Sequence, residues 1–352
     1  MIIFVSVMKI VVAPDSFKEC LNAEEVASAI SVGIRSVCPD AVVSAVPLSD
    51  GGEGMAAILT DRLGGEYIPV PVTGPLGETV MASYGRAGVT AILDVASACG
   101  IQLVPQEKRN PLIATSRGVG ELISAAISAG CKELIIGLGG SATCDGGEGM
   151  MTVPELRDLA AGTRIRALCD VENPFLGPNG AARVFAPQKG ADPQMVEVLE
   201  QRMRNRASRI LSQTGVNVSN LKRAGAAGGL GGALHAYLGA ELLSGINAVL
   251  DAVGFDEEIV DTEYIITGEG TSDCQTLSGK VPMGVLKRSC AVPVFLLSGR
   301  IRDAESLREA GFSGLFQVTP DNVPASEAIK PEVAKEYLAC AAARFCCEVI
   351  GG

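Results

Sequence analysis

Five short segments concentrate residues able to do chemistry. They are Ala13-Pro14-Asp15-Ser16-Phe17-Lys18, Ser49-Asp50-Gly51-Gly52-Glu53-Gly54, the glycine-rich run Gly137–Gly147, Cys169-Asp170-Val171-Glu172-Asn173-Pro174, and Gly268-Glu269-Gly270 with Asp273. Runs of glycine let a backbone approach a phosphate closely, and hydroxyls such as those of Ser141 and Thr143 add donors. Carboxylates in the same turns repel phosphate unless a cation lies between, so the combination suits a Mg²⁺–nucleotide better than bare phosphate. Phosphoryl transfer asks for those parts, together with a group that orients the attacking hydroxyl. Each segment taken singly is equally well read as a tight turn with an Asp side-chain cap. Five together, several of them past strand ends, favour function.

The elements that position them are legible in outline. Lys9–Ala13 reads as a short strand ending at Pro14-Asp15-Ser16. Asn22 with Glu25 three residues on is a capping-box spacing, and Val26, Ile30, Gly33 and Val37 then share a helical face that stops before Pro39. Gly118–Ala129 carries Val119, Leu122, Ile123, Ala126 and Ile127 at helical spacing and leads into a strand at Leu134-Ile135-Ile136. Further strands are expected at Ala91–Val95, Tyr264–Thr267, Pro293–Leu297 and Gly314–Val318. Short apolar strands alternating with helices imply an α/β fold with a mostly parallel sheet covered on both faces. Ligands of such sheets bind past the carboxyl ends of the strands. Asp15, Gly137–Gly149 and Gly268–Gly270 are all read as loops at those ends. Ala224–Gly232 is either a phosphate loop or a close-packed helix start.

Composition narrows the classes. A net charge of −11 argues against a nucleic-acid partner, because neutralising phosphates needs a basic face. The 11 Cys form no C-x-x-C pair and read as buried free thiols of a reducing, cytoplasmic compartment. A single His, His235, excludes multi-His metal sites and leaves a carboxylate as the expected general base; His235 itself is read as structural. The apolar start, residues 1–7, lacks a basic region and is read as an extended start rather than a signal peptide, and no stretch is long enough for a membrane span. No G-x-x-x-x-G-K-[ST] occurs, and the protein-kinase signature set is missing. Gly137–Ala142 fits G-x-G-x-x-[GA], yet Asp145-Gly146-Gly147-Glu148-Gly149 is a poor start for the helix that a dinucleotide site requires. Lys18, Lys189 and Lys280 beside small-residue turns could neutralise an anion, and Arg109 and Arg117, flanking Asn110 and Ser116, could clamp a carboxylate; solvated surface charge is the plainer alternative. Met150 and Met151 are read as core filler.

The motifs taken in order resemble the class I glycerate kinases of bacteria. The likeness rests on A-P-D-S-F-K at Ala13–Lys18, S-D-G-G-E-G at Ser49–Gly54, E-K-R-N-P-L at Glu107–Leu112 and G-G-S-A-T-x-D-G-G at Gly139–Gly147. It continues through C-D-V-x-N-P at Cys169–Pro174, P-Q-K-G-A at Pro187–Ala191, G-A-A-G-G-L-G at Gly225–Gly231 and I-T-G-E-G at Ile266–Gly270, and no clear match follows Asp321. The resemblance implies ATP and Mg²⁺ as cofactors, D-glycerate as acceptor and 2-phosphoglycerate as product. It also implies two α/β domains with the active site between them: a Rossmann-like one from residues 1–66 and 256–352, and one inserted at 67–255. A homodimer is compatible with it.

On this reading Asp50 and Glu53 serve the metal, and Asp15 and Lys18 help position phosphate. Gly139, Gly140, Ser141, Thr143, Gly268, Glu269 and Gly270 hold ATP, while Ser16, Arg109, Asn110 and Ser116 hold glycerate. Asp145 or Asp170 accepts the hydroxyl proton. Two departures stand out. Thr271 replaces the family's Arg after G-E-G, and Met151-Thr152-Val153-Pro154 cuts short a segment that is long in the family. We expect residues there to be missing from the numbered chain rather than deleted; an ordinary Cα–Cα step of about 3.8 Å at every peptide from Met150 to Leu156 would refute that. Rival readings are a nicotinamide-dependent hydroxyacid dehydrogenase and a non-catalytic glycerate sensor.

Overall fold

The computed structural model describes residues 8–17, 20–52 and 54–351. Lys18, Glu53 and the apolar start at 1–7 lie outside the described residues. Eleven strands are described: β1 (Lys9–Val12), β2 (Val42–Ala45), β3 (Glu66–Thr73), β4 (Thr79–Ala87), β5 (Thr90–Asp94), β6 (Glu133–Gly137), β7 (Arg164–Leu168), β8 (Glu241–Leu243), β9 (Tyr264–Ser272), β10 (Val294–Ile301) and β11 (Gly314–Gln317). By its contacts the chain separates into two compact units, residues 1–50 with 246–352, and residues 51–245. The sequence reading set these limits at 66/67 and 255/256. The helix Met55–Arg62 falls on the other side of the first limit because its neighbours are β4 and β5.

The first unit holds a five-stranded sheet in the order β11-β10-β9-β1-β2, every pair parallel. The capping box is present as expected: Asn22 Oδ1 accepts from Glu25 N at 2.8 Å and Glu25 Oε2 accepts from Asn22 N at 3.1 Å, starting the helix Ala23–Val37. Val26, Ile30 and Ile34 are fully buried on that helix, against a second helix, Pro331–Phe345. Burial of such a side chain contributes roughly 1.5–3 kcal/mol, so this pair alone explains why the far end of the sequence folds back onto its beginning. Val37, expected on the same face, is exposed in the last turn.

The second unit holds a six-stranded sheet in the order β3-β4-β5-β6-β7-β8. β3–β4 and β4–β5 are antiparallel and the rest parallel. The helix Arg117–Ser128 buries Val119, Leu122, Ile123 and Ala126, the face that its spacing predicts. β3 went unrecognised in the sequence because Pro69 and Pro71 interrupt it. It is an edge strand, where a residue without an N–H is tolerated.

Two expectations are corrected. The segment after Gly149 is continuous: Met151 N donates to Gly147 O at 3.2 Å, Val153 N to Met150 O at 3.3 Å, and Leu159 N to Glu155 O at 2.8 Å. A 3-10 turn, Met150–Thr152, and a four-residue helix, Leu156–Leu159, fill it, so the shortening is a property of the chain and no loop is missing. Gly268-Glu269-Gly270 is not a loop beyond a strand but part of β9, paired with Leu297 and Ser298 of β10. A Cβ on Gly268 would stand 2.2 Å from the Leu297 carbonyl oxygen, so glycine there admits the neighbouring strand and is no sign of a phosphate turn.

Candidate active site

In the first unit β1 runs out into Asp15, which is only 7% exposed. Its N–H donates to Gly268 O at 2.8 Å, tying the turn to β9, and its Oδ1 accepts from Ser16 N at 2.7 Å. Ser16 is thus fixed beside Asp15. Asp50 is half-buried after the buried Ser49. Glu269 is buried and accepts from Ser272 Oγ at 3.0 Å, from Thr276 Oγ1, and from Lys280 Nζ at 3.3 Å. This carboxylate holds the segment 272–280 in place, which also gives Lys280 a partner. Glu269→Gln is expected to cost about 1–3 kcal/mol, because an amide N–H₂ would face donors where acceptors are needed; urea unfolding would measure it.

In the second unit the chemistry gathers around the loop that follows β6. Cys99–Ile101 clasps it: Ala142 N donates to Cys99 O and Ile101 N to Gly140 O, both at 2.8 Å. Lys189 lies beneath, donating to Ser141 Oγ at 2.8 Å and to Thr143 O at 2.7 Å. Burial pulls the Lys189 pKa down from its ordinary value. Among the described residues no acceptor takes the N–H groups of Gly139, Gly140 or Ser141. Asp145 closes the loop, its Oδ2 accepting from Ser116 N at 2.9 Å, Ser116 Oγ at 2.8 Å and Gly149 N at 3.0 Å, its Oδ1 from Gly147 N at 3.0 Å. Ser116 Oγ in turn accepts from Met150 N at 3.0 Å. Four donors on one carboxylate make Asp145 and Ser116 the fastening of this turn. Asp170 leaves β7 beside the loop, since Gly137 of β6 is in register with Leu168.

Other expected site residues have local tasks. Asn110 Oδ1 accepts from Leu112 N at 3.0 Å in an Asx turn, and Arg109 Nε donates to Val104 O at 3.4 Å. Arg117 pairs with Glu121 at 2.8 Å. His235 has a ring nitrogen 2.9 Å from Ala240 O, a structural contact. Ala224–Gly232 resolves as a close-packed helix start: Ala227, Gly228 and Gly229 form a left-handed turn (φ 51°, 67° and 91°) inside the helix Ala226–Leu238, against Thr143 and Gly146. The loop after β6 passes through bends and turns into the 3-10 turn at Met150, so the helix of a dinucleotide site does not follow it.

Asp94 escaped the sequence reading. Its carboxylate accepts from Gly54 N at 3.2 Å and from Ala56 N at 3.2 and 3.3 Å, capping the helix Met55–Arg62 and bracing the S-D-G-G-E-G turn. An acid at the carboxyl end of an apolar strand was the available signal.

Burial pushes the thiols of Cys99 and Cys169 up to about 12 and that of Cys144 up to about 11, so none offers a thiolate near neutral pH. Cys274, Cys290, Cys340 and Cys347 are exposed. A disulfide-exchange reagent should therefore titrate these four rapidly in the native protein, with Cys99, Cys144 and Cys169 reacting only on unfolding.

Two α/β units with glycine–carboxylate turns at the carboxyl ends of parallel strands define a ligand-binding α/β enzyme. The chain belongs to the glycerate kinase family, whose profile matches residues 10–153 and 151–349. The match reaches past Asp321, where the sequence reading saw no likeness, and its two stretches meet at the shortened segment. The chain is 44% identical to the glycerate kinase of Bacillus subtilis (strain 168), covering 94% of this chain and 95% of the relative. It is 42% identical to the glycerate 2-kinase of Escherichia coli (strain K12), covering 88% and 90%. A crystal structure from Salmonella typhimurium LT2, assigned provisionally as glycerate kinase 2, superposes with a TM-score of 0.84 at 38% identity, covering 98% of this chain and 99% of that one.

Proposed function

We propose that this protein transfers the γ-phosphoryl group of ATP to a hydroxyl of D-glycerate, giving 2-phosphoglycerate and ADP. The observation that carries the reading is the loop Gly139–Thr143 at the carboxyl edge of β6, with unpaired N–H groups and a buried lysine beneath it and Asp170 alongside. Family membership supplies the substrate class, and the Escherichia coli relative is named for the 2-position.

In the step proposed, the glycerate hydroxyl oxygen bonds to the γ-phosphorus while the bond to the β–γ bridging oxygen breaks. ADP leaves with that electron pair, and the hydroxyl proton passes to Asp170. Asp145 is already committed to four donors. That favours Asp170 as the acceptor and assigns Asp145 and Ser116 to shaping the loop. Asp15 and Ser16 would steady the phosphates from the end of β1. Among the described residues no three acidic, His or Cys side chains gather as a metal cage. Mg²⁺ is ordinarily held by one or two carboxylates plus substrate phosphates. Asp50 and Glu53 are the residues that would hold it, and it would neutralise charge on the transferring group. No helix among the described residues is long and apolar enough to cross a membrane, and cysteines without disulfides suit the cytosol as the place of work.

The test is a coupled assay of ADP release with D-glycerate and related hydroxy acids, with the product's phosphate position read by phosphorus NMR. No ADP release with any of them would overturn the proposal.

A further inference from the structure

We infer that Lys189 is a positioning residue that charges an oxyanion cradle from below, acting through the Ser141 hydroxyl. Lys189 is only 4% exposed; among the described residues no carboxylate lies within ion-pair distance of it, although the charge of Asp145 acts on it through space. Its two hydrogen bonds go to neutral oxygens, Ser141 Oγ and Thr143 O. A buried cation so placed is costly unless an anion completes it. The anion has a place: among the described residues the N–H groups of Gly139, Gly140 and Ser141 have no acceptor, and Ser141, which receives its hydrogen bond from Lys189, keeps its own O–H to give. Donation from the ammonium polarises that hydroxyl and strengthens it as a donor. Thr143 Oγ1 is buried, has no oxygen or nitrogen partner among the described residues and stands beside the Cys99 thiol, so it does not compete with Ser141 for Lys189.

The ligand group is an oxyanion, which is either the carboxylate of glycerate or a phosphoryl group of ATP. Its identity rests on the kinase reading; the cradle itself is read by binding, so the two can fail separately.

Lys189→Met removes the charge and both donors while keeping the bulk. It is expected to lower kcat/KM by about 10- to 100-fold, the scale of a lost charge-assisted hydrogen bond. The thermal midpoint should hold or rise, because a buried unpaired charge has been replaced by an apolar chain. A raised KM for D-glycerate alone identifies the carboxylate, and one for MgATP alone the phosphoryl group. Rates within about threefold of wild type for both substrates would overturn the inference, as would an activity loss that tracks a falling midpoint and recovers on cooling. Should Lys189→Met fail to fold, Ser141→Ala decides: roughly tenfold weaker use of one substrate supports the cradle and unchanged kinetics sinks it. Calorimetric titration with D-glycerate and with MgATP covers the remaining case. If the wild type releases no ADP yet binds either compound more tightly than Lys189→Met does, the kinase reading falls and the cradle stands. If it binds neither, both fall.

Discussion

Asp170→Asn is expected to lower kcat by about 10²–10⁴-fold, the usual worth of a general base. Asp170 lies two residues past the carboxyl end of β7, whose last residue, Leu168, is in register with Gly137 at the end of β6. The amide is nearly isosteric but cannot take up the hydroxyl proton, so the loss should appear in turnover more than in KM. A fall of less than about tenfold would remove Asp170 from the chemistry and leave positioning as the main source of rate, which a loose transition state allows.

Gly228→Ala is expected to destabilise the second unit by more than about 4 kcal/mol, or to prevent folding outright. Two costs combine. The residue has φ 67°, a region that costs an L side chain roughly 1–2 kcal/mol. An added Cβ would also lie 2.0 Å from the Thr143 carbonyl oxygen, a backbone atom that cannot swing aside. Relief could come only by shifting the loop that Lys189 holds. Chemical denaturation, or the soluble yield if the variant does not fold, reads the effect; an unchanged midpoint would show that the turn and the loop part freely.

What the sequence disclosed, and what it hid, follows from the range of the interactions. The helix after Asn22 was legible because its cap closes within three residues. The glycine loop after β6 was legible because strand, glycines and carboxylate are consecutive. Lys189 was visible only as a lysine near a turn; its burial depends on Ser141, 48 positions away, which no local pattern encodes. Asp94 was hidden for the same reason, since its partners stand 38 and 40 positions off. Gly268 was misplaced in a loop because a glycine that admits a neighbouring strand has the same letter as one that admits a turn. Asp145 stood out as an acid in a glycine-rich loop, but one residue type can either grip its own backbone or take a proton, and only the donors around it decide.

The abbreviated crossover between β6 and β7 has a practical corollary. The alignment with the Bacillus relative runs over 364 positions, more than the 352 residues here, and the family match divides at 151–153. Pro154 and Glu155 are exposed, and Glu155 turns the backbone at φ 56°. Foreign sequence spliced after Val153, such as an epitope or a fluorescent reporter, would therefore enter at an exposed junction where the two stretches of the family match meet, downstream of the anchors that Asp145 and Ser116 provide.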